Sequence, residues 1–217
     1  MLIDPEVWQI TLLSLRVSAL ATAISMVIGL PLGTILALGK YPGRSFFLGL
    51  INAGMGLPPV VVGLFVAMML WRSGPLGDMH LIYTTTAIII AQVIIAFPVV
   101  TGLTAAALQQ LNPSLRLQLL GLGATKLQMV LGLWREARMP LLAALMAGFG
   151  SVISEVGASM MVGGNIRYQT RVLTTAIVLE TDKGEFTVAI ALAVLLLIIT
   201  FLINWGLTWI QQRGARR

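Results

Sequence analysis

Glu155 is the one carboxylate set inside a long apolar run, in the stretch FGSVISEVGASMMVGGN. An ionisable group at membrane depth costs at least about 2.5 to 3.5 kcal/mol on insertion scales, so it must face a protein interior or a water-filled path. Ser151, Ser154, Gly157, Ser159, Met160 and Met161 share its segment, which suits close helix packing and a polar stripe along a translocation path or gate. Arg16 is the one basic residue inside a span and the natural partner for that charge. A buried structural pair and a path-lining carboxylate are equally open on these residues alone.

Other chemistry is excluded by composition and motif. Cysteine is absent and His80 is the single histidine, so a thiolate or multi-histidine metal site is not expected. None of GxxxxGK[ST], HExxH or GxSxG occurs, no acidic metal cluster is present, and the serines near Glu155 have no histidine or lysine base within a span. The chain is therefore not expected to be an enzyme, and any coupling to ATP must come from a partner.

The elements that position these residues follow from the composition. Apolar residues are 58% and charged residues 10% of 217, with a mean hydropathy of +0.94. So few charges cannot cover a water-facing surface, so the chain reads as an all-α integral membrane protein. The amino terminus, MLIDPEVW, lacks the basic region and cleavage site of a secretory signal and is expected to stay on the protein. About 20 apolar residues cross the hydrocarbon as a helix. Five segments meet that test, at about residues 10–39, 46–71, 81–108, 139–162 and 186–210, forming one transmembrane domain over 1–217.

Loop charges set an orientation. With the amino terminus outside, Lys40, Arg44, Arg116, Lys126, Arg135, Arg138, Arg213, Arg216 and Arg217 fall inside, and Arg72, Arg167, Arg171 and Lys183 outside. Nine against four satisfies the positive-inside rule and predicts a cytoplasmic carboxyl terminus. The basic surplus is thus a topology signal, and no nucleic-acid partner is expected.

Three places interrupt the spans: Pro31, the pair Pro58 and Pro59 in GLPPVVVGL, and Pro98 in AFPVV. Packing kinks are the ordinary reading of such prolines, and breaks at a midplane permeation site the sharper one. Breaks are expected at Pro58, Pro59 and Pro98. Between the third and fourth spans, residues 109–138 read as a compact cytoplasmic protrusion: a helix starting at Asn112 and Pro113, a turn at Gly121 and Gly123, and a second helix from Leu127. Residues 163–185 read as an external loop whose portion VLTTAIVL is apolar enough to re-enter a protein-lined cavity.

With these features the chain resembles the membrane subunits of type I ABC importers, and within them the tungstate permeases and their molybdate relatives. The residues that carry the resemblance are GLPPVVVGL, RSGPLG, AQVIIAFP, LGAT, EAR and the long block FGSVISEVGASMMVGGNIRYQTRVLTTA. The resemblance implies a MetI-like permease fold in a bacterial or archaeal cytoplasmic membrane. It also implies a homodimer, two cytoplasmic ATPase subunits that hold ATP and Mg, an external oxyanion-binding protein, and no cofactor on this subunit.

In that superfamily a cytoplasmic Glu-Ala-Ala motif followed by Gly-Ala forms the helix that docks on the ATPase. Aligned on Gly123 and Ala124, Leu117, Gln118 and Leu119 stand where Glu-Ala-Ala would be, so the acid is missing. Docking is then expected to rest on apolar burial together with Arg116, Thr125, Lys126 and the glycine turn.

The implied cargo is tungstate or molybdate. A dianion about 4 Å from a bare carboxylate is repelled by about 8 kcal/mol at an effective dielectric near 20, so Glu155 is not expected to touch it. Ser151, Ser154, Gly157 and Ser159 would offer hydroxyls and amides instead. An ion-coupled secondary transporter or channel using Glu155 is the alternative.

Overall fold

The computed structural model describes residues 5–215, which form helices joined by turns, bends and short irregular links. Residues 1–4 of the amino-terminal segment, and Arg216 and Arg217 of the charge assignment, lie outside the described residues.

Helix α1 (Pro5–Leu38) runs continuously for 34 residues. That is about 51 Å at the α-helical rise, well beyond a hydrocarbon core of about 30 Å. It pairs along its length with α4 (Thr85–Gln109), which Thr84 starts by accepting a hydrogen bond from the Ala87 amide. Small residues make the close approach possible. A Cβ on Gly33 would lie 2.7 Å from both the Thr101 carbonyl oxygen and the Thr104 Cβ, and one on Gly29 would lie 2.9 Å from Val100. Gly29 and Gly33 stand four apart, the small-xxx-small spacing that lets membrane helices meet backbone to backbone.

Pro31 and Pro98 lie inside these two continuous helices. The expected break at Pro98 is corrected: the ring is buried where α4 passes under Gly54, and the helix runs on across the missing donor. The paired prolines do break the chain. α2 (Arg44–Met55) and α3 (Pro59–Leu70) meet at 101° around residues 56–58, because Pro58 takes an extended backbone and Pro59 starts a new helix as its first residue.

Beyond α4 come α5 (Pro113–Gly121) and α6 (Lys126–Glu136), joined by a tight turn in which Gly123 takes φ +84°, a conformation open to glycine without strain. α7 (Arg138–Ile153) meets α6 at 74°. It gives way to α8 (Gly157–Gly163) across residues 154–156, so the stretch expected as one span at 139–162 is two helices. α9 (Leu173–Asp182) and α10 (Phe186–Ala215) complete the chain.

Among the described residues, α1, α4 and α10 are long and apolar enough to cross a membrane alone, and the number is up to five by length and composition if the bent pairs α2–α3 and α6–α7 each count as one span. Only 11% of the apolar window of α10 is buried, and α2 buries no residue at all, so both present apolar faces outward. Outward apolar faces are what lipid or a second copy of the chain would cover.

The two ends of the bundle are tied differently. At one end Glu6 pairs with Arg167 and with Arg171, the latter at 3.2 Å, and Gln9 donates to the Tyr168 carbonyl. At the other, the last carbonyls of α1 are all satisfied. Gly39 N–H donates to Ile35, Arg44 Nε to Leu36 at 2.6 Å, Arg44 Nη2 to Ala37 at 3.3 Å, and Arg116 Nη1 to Leu38 at 3.2 Å. Two arginines from separate segments thereby supply the donors that a helix C-terminus lacks, and their charge sits at its negative end.

Candidate functional site: the helix break at Glu155 and the helical hairpin

The break between α7 and α8 is built by hydrogen bonds that a straight helix would not make. At Ser154 the helix ends, and Glu155, 8% exposed, turns its side chain forward so that Oε1 accepts from the Ala158 amide at 2.6 Å. The carboxylate therefore satisfies one of the first-turn amides of α8 and places negative charge at its positive end. Its backbone carbonyl accepts from the Thr174 hydroxyl at 2.8 Å, which fixes α9 to the break. Neighbouring contacts are equally tight: Tyr83 N–H donates to Val162 at 2.8 Å, and a Cβ on Gly63 of α3 would lie 2.5 Å from Ala158 Cα. Only a glycine lets α3 and α8 cross at that distance.

Arg16 does not join this centre. It lies on the exposed side of α1, and among the described residues no ion pair links it to Glu155. Its neighbour Val17 packs in a cluster with Ala87 and Ile88 in the first turn of α4, which puts Arg16 at the level where α4 begins.

The path candidates separate by environment. Ser151 is half-buried and donates to Gly148, and Ser154 is exposed and donates to Gly150, so each hydroxyl proton is used within α7. Ser159 is buried with no hydrogen-bond partner among the described residues. Gly157 sits under Val60, while Met160 is half-buried and Met161 exposed. Ser151 alone of these lines a cavity of about 270 Å³ beside the α2–α3 break, with Met55, Leu57, Pro58, Val62 and Ile94. The walls are mostly apolar.

At the other end, α5 and α6 form a helical hairpin with strong local start signals. Asn112 accepts from the Ser114 amide at 2.9 Å with Pro113 as the first helical residue. Thr125 and Gln128 make a reciprocal capping box, Thr125 Oγ1 accepting from the Gln128 amide and Gln128 Oε1 from the Thr125 amide. Leu115 and Leu119, one turn apart, face inward onto a cluster of Met129, Leu133 and Leu141. Trp134 Nε1 donates to Thr34 on α1 at 2.8 Å, which anchors the hairpin base. Outward, Leu117 is 71% and Leu122 85% exposed, and Gln118, Lys126, Leu127 and Leu131 share that surface. Ala124 is half-buried at the turn. Arg116 differs from the expectation, because its guanidinium is turned back to the end of α1.

Sequence reasoning passed over Arg44, the Glu6–Arg167–Arg171 cluster and the Gly29–Gly33 contact. The first two have readable signals, a basic residue just beyond a helix end and an acid in a first turn. The third was hidden by reading GLPLG for its proline.

Comparison with known proteins adds to this geometry. Residues 29–216 match the family model described as binding-protein-dependent transport system inner membrane component. The chain is 42% identical over 211 residues to the tungstate uptake system permease protein TupB of Peptoclostridium acidaminophilum, covering 96% of this chain and 92% of that one. It is 41% identical over 201 residues to a probable anion ABC transporter permease protein of Haloferax volcanii, covering 90% and 87%. The molybdenum transport system permease protein ModB of Escherichia coli is 26% identical, with 100% and 99% covered. Among solved structures, the inward-facing MetNI methionine ABC transporter superposes with a TM-score of 0.72 at 21% identity, over 96% of this chain and 94% of that one, a likeness of fold.

Proposed function

The chain belongs to the family of binding-protein-dependent transport system inner membrane components, and from that membership we propose that it is the permease subunit of an ATP-driven importer for tetrahedral oxyanions, tungstate first and molybdate second. The relatives named for tungstate and for anion transport support the cargo class. In this reading the chain crosses the cytoplasmic membrane five times, with the amino terminus outside and the α5–α6 hairpin in the cytoplasm. Two copies form the path. Two ATPase subunits hold ATP and Mg, and an external binding protein delivers the oxyanion.

The observation that carries the coupling role is the hairpin's outward surface. Leu117 and Leu122 are apolar side chains left largely exposed on a doubly capped element that also presents Lys126. Exposed leucines on an element that protrudes from the bundle call for a protein partner. ATP-driven closure of the ATPases would draw the two hairpins together. Because α6 is anchored to α1 through Trp134 and runs into α7, the motion passes to the α7–α8 break. Glu155 then acts as a positioning residue for the gate, holding the start of α8, while Ser151 and the α2–α3 elbow border the path. Selectivity resides in the external binding protein, since these walls offer few donors.

Co-purification with the cognate ATPase tests this reading. The complex is expected to hydrolyse ATP faster when the oxyanion-loaded binding protein is added. A permease that neither retains the ATPase nor changes its rate would refute it.

A further inference from the structure

Between the end of α1 and the hairpin lies a second cavity of about 810 Å³, larger than the one beside Ser151. Lys40, Arg44 and Arg116 are its three charged lining residues, and no carboxylate lines it. Both guanidinium groups are fixed by their bonds to α1. Arg44 uses Nε and one Nη for those carbonyls and Arg116 uses one Nη, which leaves further N–H donors on each. Lys40 is exposed and makes no hydrogen bond or ion pair among the described residues. The α1 terminus offsets roughly half a charge, so strong positive character remains.

Leu38, Leu108, Leu120 and Leu133 supply apolar walls, and Leu117, whose side chain also belongs to the hairpin's exposed surface, completes them. Phe46 and Phe47 project outward at the start of α2, beside the cavity's Arg44. Beyond them α2 buries none of its residues and continues as an apolar surface.

Fixed cations above an apolar floor match an amphiphile with an anionic head. A free inorganic oxyanion would meet the charges and leave the leucines uncovered. We propose that this cavity binds an anionic phospholipid, its phosphate held by Lys40, Arg44 and Arg116 and its chains lying along α2. The bound phosphate would tie the end of α1 to α5 and steady the hairpin. That last step rests on the permease reading, whereas the binding itself does not.

The full chain in detergent is titrated with phosphatidylglycerol, with phosphatidylcholine of the same acyl chains, and with inorganic phosphate, and bound lipid is counted by native mass spectrometry. Phosphatidylglycerol is expected to bind at least about tenfold more tightly than phosphatidylcholine, at about 1 kcal/mol per nearby cation. Lys40→Gln should weaken it about fivefold and Lys40→Glu more. Lys40 has no internal bond to lose, so both variants are expected to keep the wild-type melting temperature. Equal affinity for the two lipids, an unaltered affinity in Lys40→Gln, or thermal stabilisation by inorganic phosphate equal to that by phosphatidylglycerol would overturn the proposal. Failure of ATPase association with lipid binding intact would count against the permease reading alone.

Discussion

At the scale of the residue, Glu155 gains a defined task from a single bond. The carboxylate accepts from Ala158 at the start of α8, so its worth lies in holding the break. Glu155→Gln keeps an acceptor oxygen and loses only the charge at the helix end, a cost of up to about 1 kcal/mol. Glu155→Ala leaves the Ala158 amide without its partner in a buried place and costs about 1 to 2 kcal/mol. Thermal unfolding in detergent is expected to rank wild type above Glu155→Gln above Glu155→Ala, with uptake by Glu155→Gln retained. Normal unfolding with abolished uptake in Glu155→Gln would instead make the carboxylate an ion site. The sequence showed that Glu155 needed a partner because its depth could be read from hydropathy. It pointed to Arg16, the only span cation, because one-dimensional spacing does not record that a carboxylate can turn forward onto an amide three residues on.

At the scale of the element, local signals were the readable ones. Asn112–Pro113 announces α5 through a short-range hydrogen bond that the structure makes, whereas the Thr125 cap that starts α6 one residue before the expected Leu127 was passed over. Pro58 and Pro59 were legible as a break for the same local reason. Pro98 was not, since whether a proline bends a membrane helix depends on what packs against it, here Gly54. Long-range contacts decide the rest, including the apolar VLTTAIVL portion. Part of it forms α9, seated by Leu173 N–H donating to Ser14 at 2.7 Å and by Thr174 at the break.

Two outcomes belong to this scale. Gly33→Leu should separate α1 from α4 and destabilise the fold by about 1 to 3 kcal/mol or more, because the side chain would enter the Thr101 backbone. It is read as a lowered unfolding midpoint and reduced membrane yield. Thr125→Ala removes the capping box and should cost about 1 kcal/mol locally, measured as faster amide exchange across the first turn of α6.

For the whole molecule, the all-helical character was legible from composition, and the outward apolar faces of α2 and α10 agree with it. Aromatic residues mark both ends of the helices: Trp8 and Trp71 near one, Trp205 and Trp209 near the other, with Arg213 stacked over Trp209 at 3.4 Å. What composition does not carry is the way segments distant in sequence are latched. Glu6 meets Arg167 and Arg171 across more than 160 positions, so no local pattern foretells the pairing.

In the proposed function, transport by this chain requires an ATPase seated on the α5–α6 hairpin. The direct measurement is labelled tungstate uptake into proteoliposomes holding the chain, its ATPase and the binding protein, compared with the same vesicles carrying Leu122→Asp. A charge at so exposed a position should leave the unfolding midpoint unaltered yet prevent docking on an apolar groove. The expected result is ATP-dependent, vanadate-sensitive uptake that falls at least about tenfold in Leu122→Asp, an interface loss of about 1.4 kcal/mol or more. Uptake that proceeds without nucleotide, or that Leu122→Asp leaves at the wild-type rate, would contradict it.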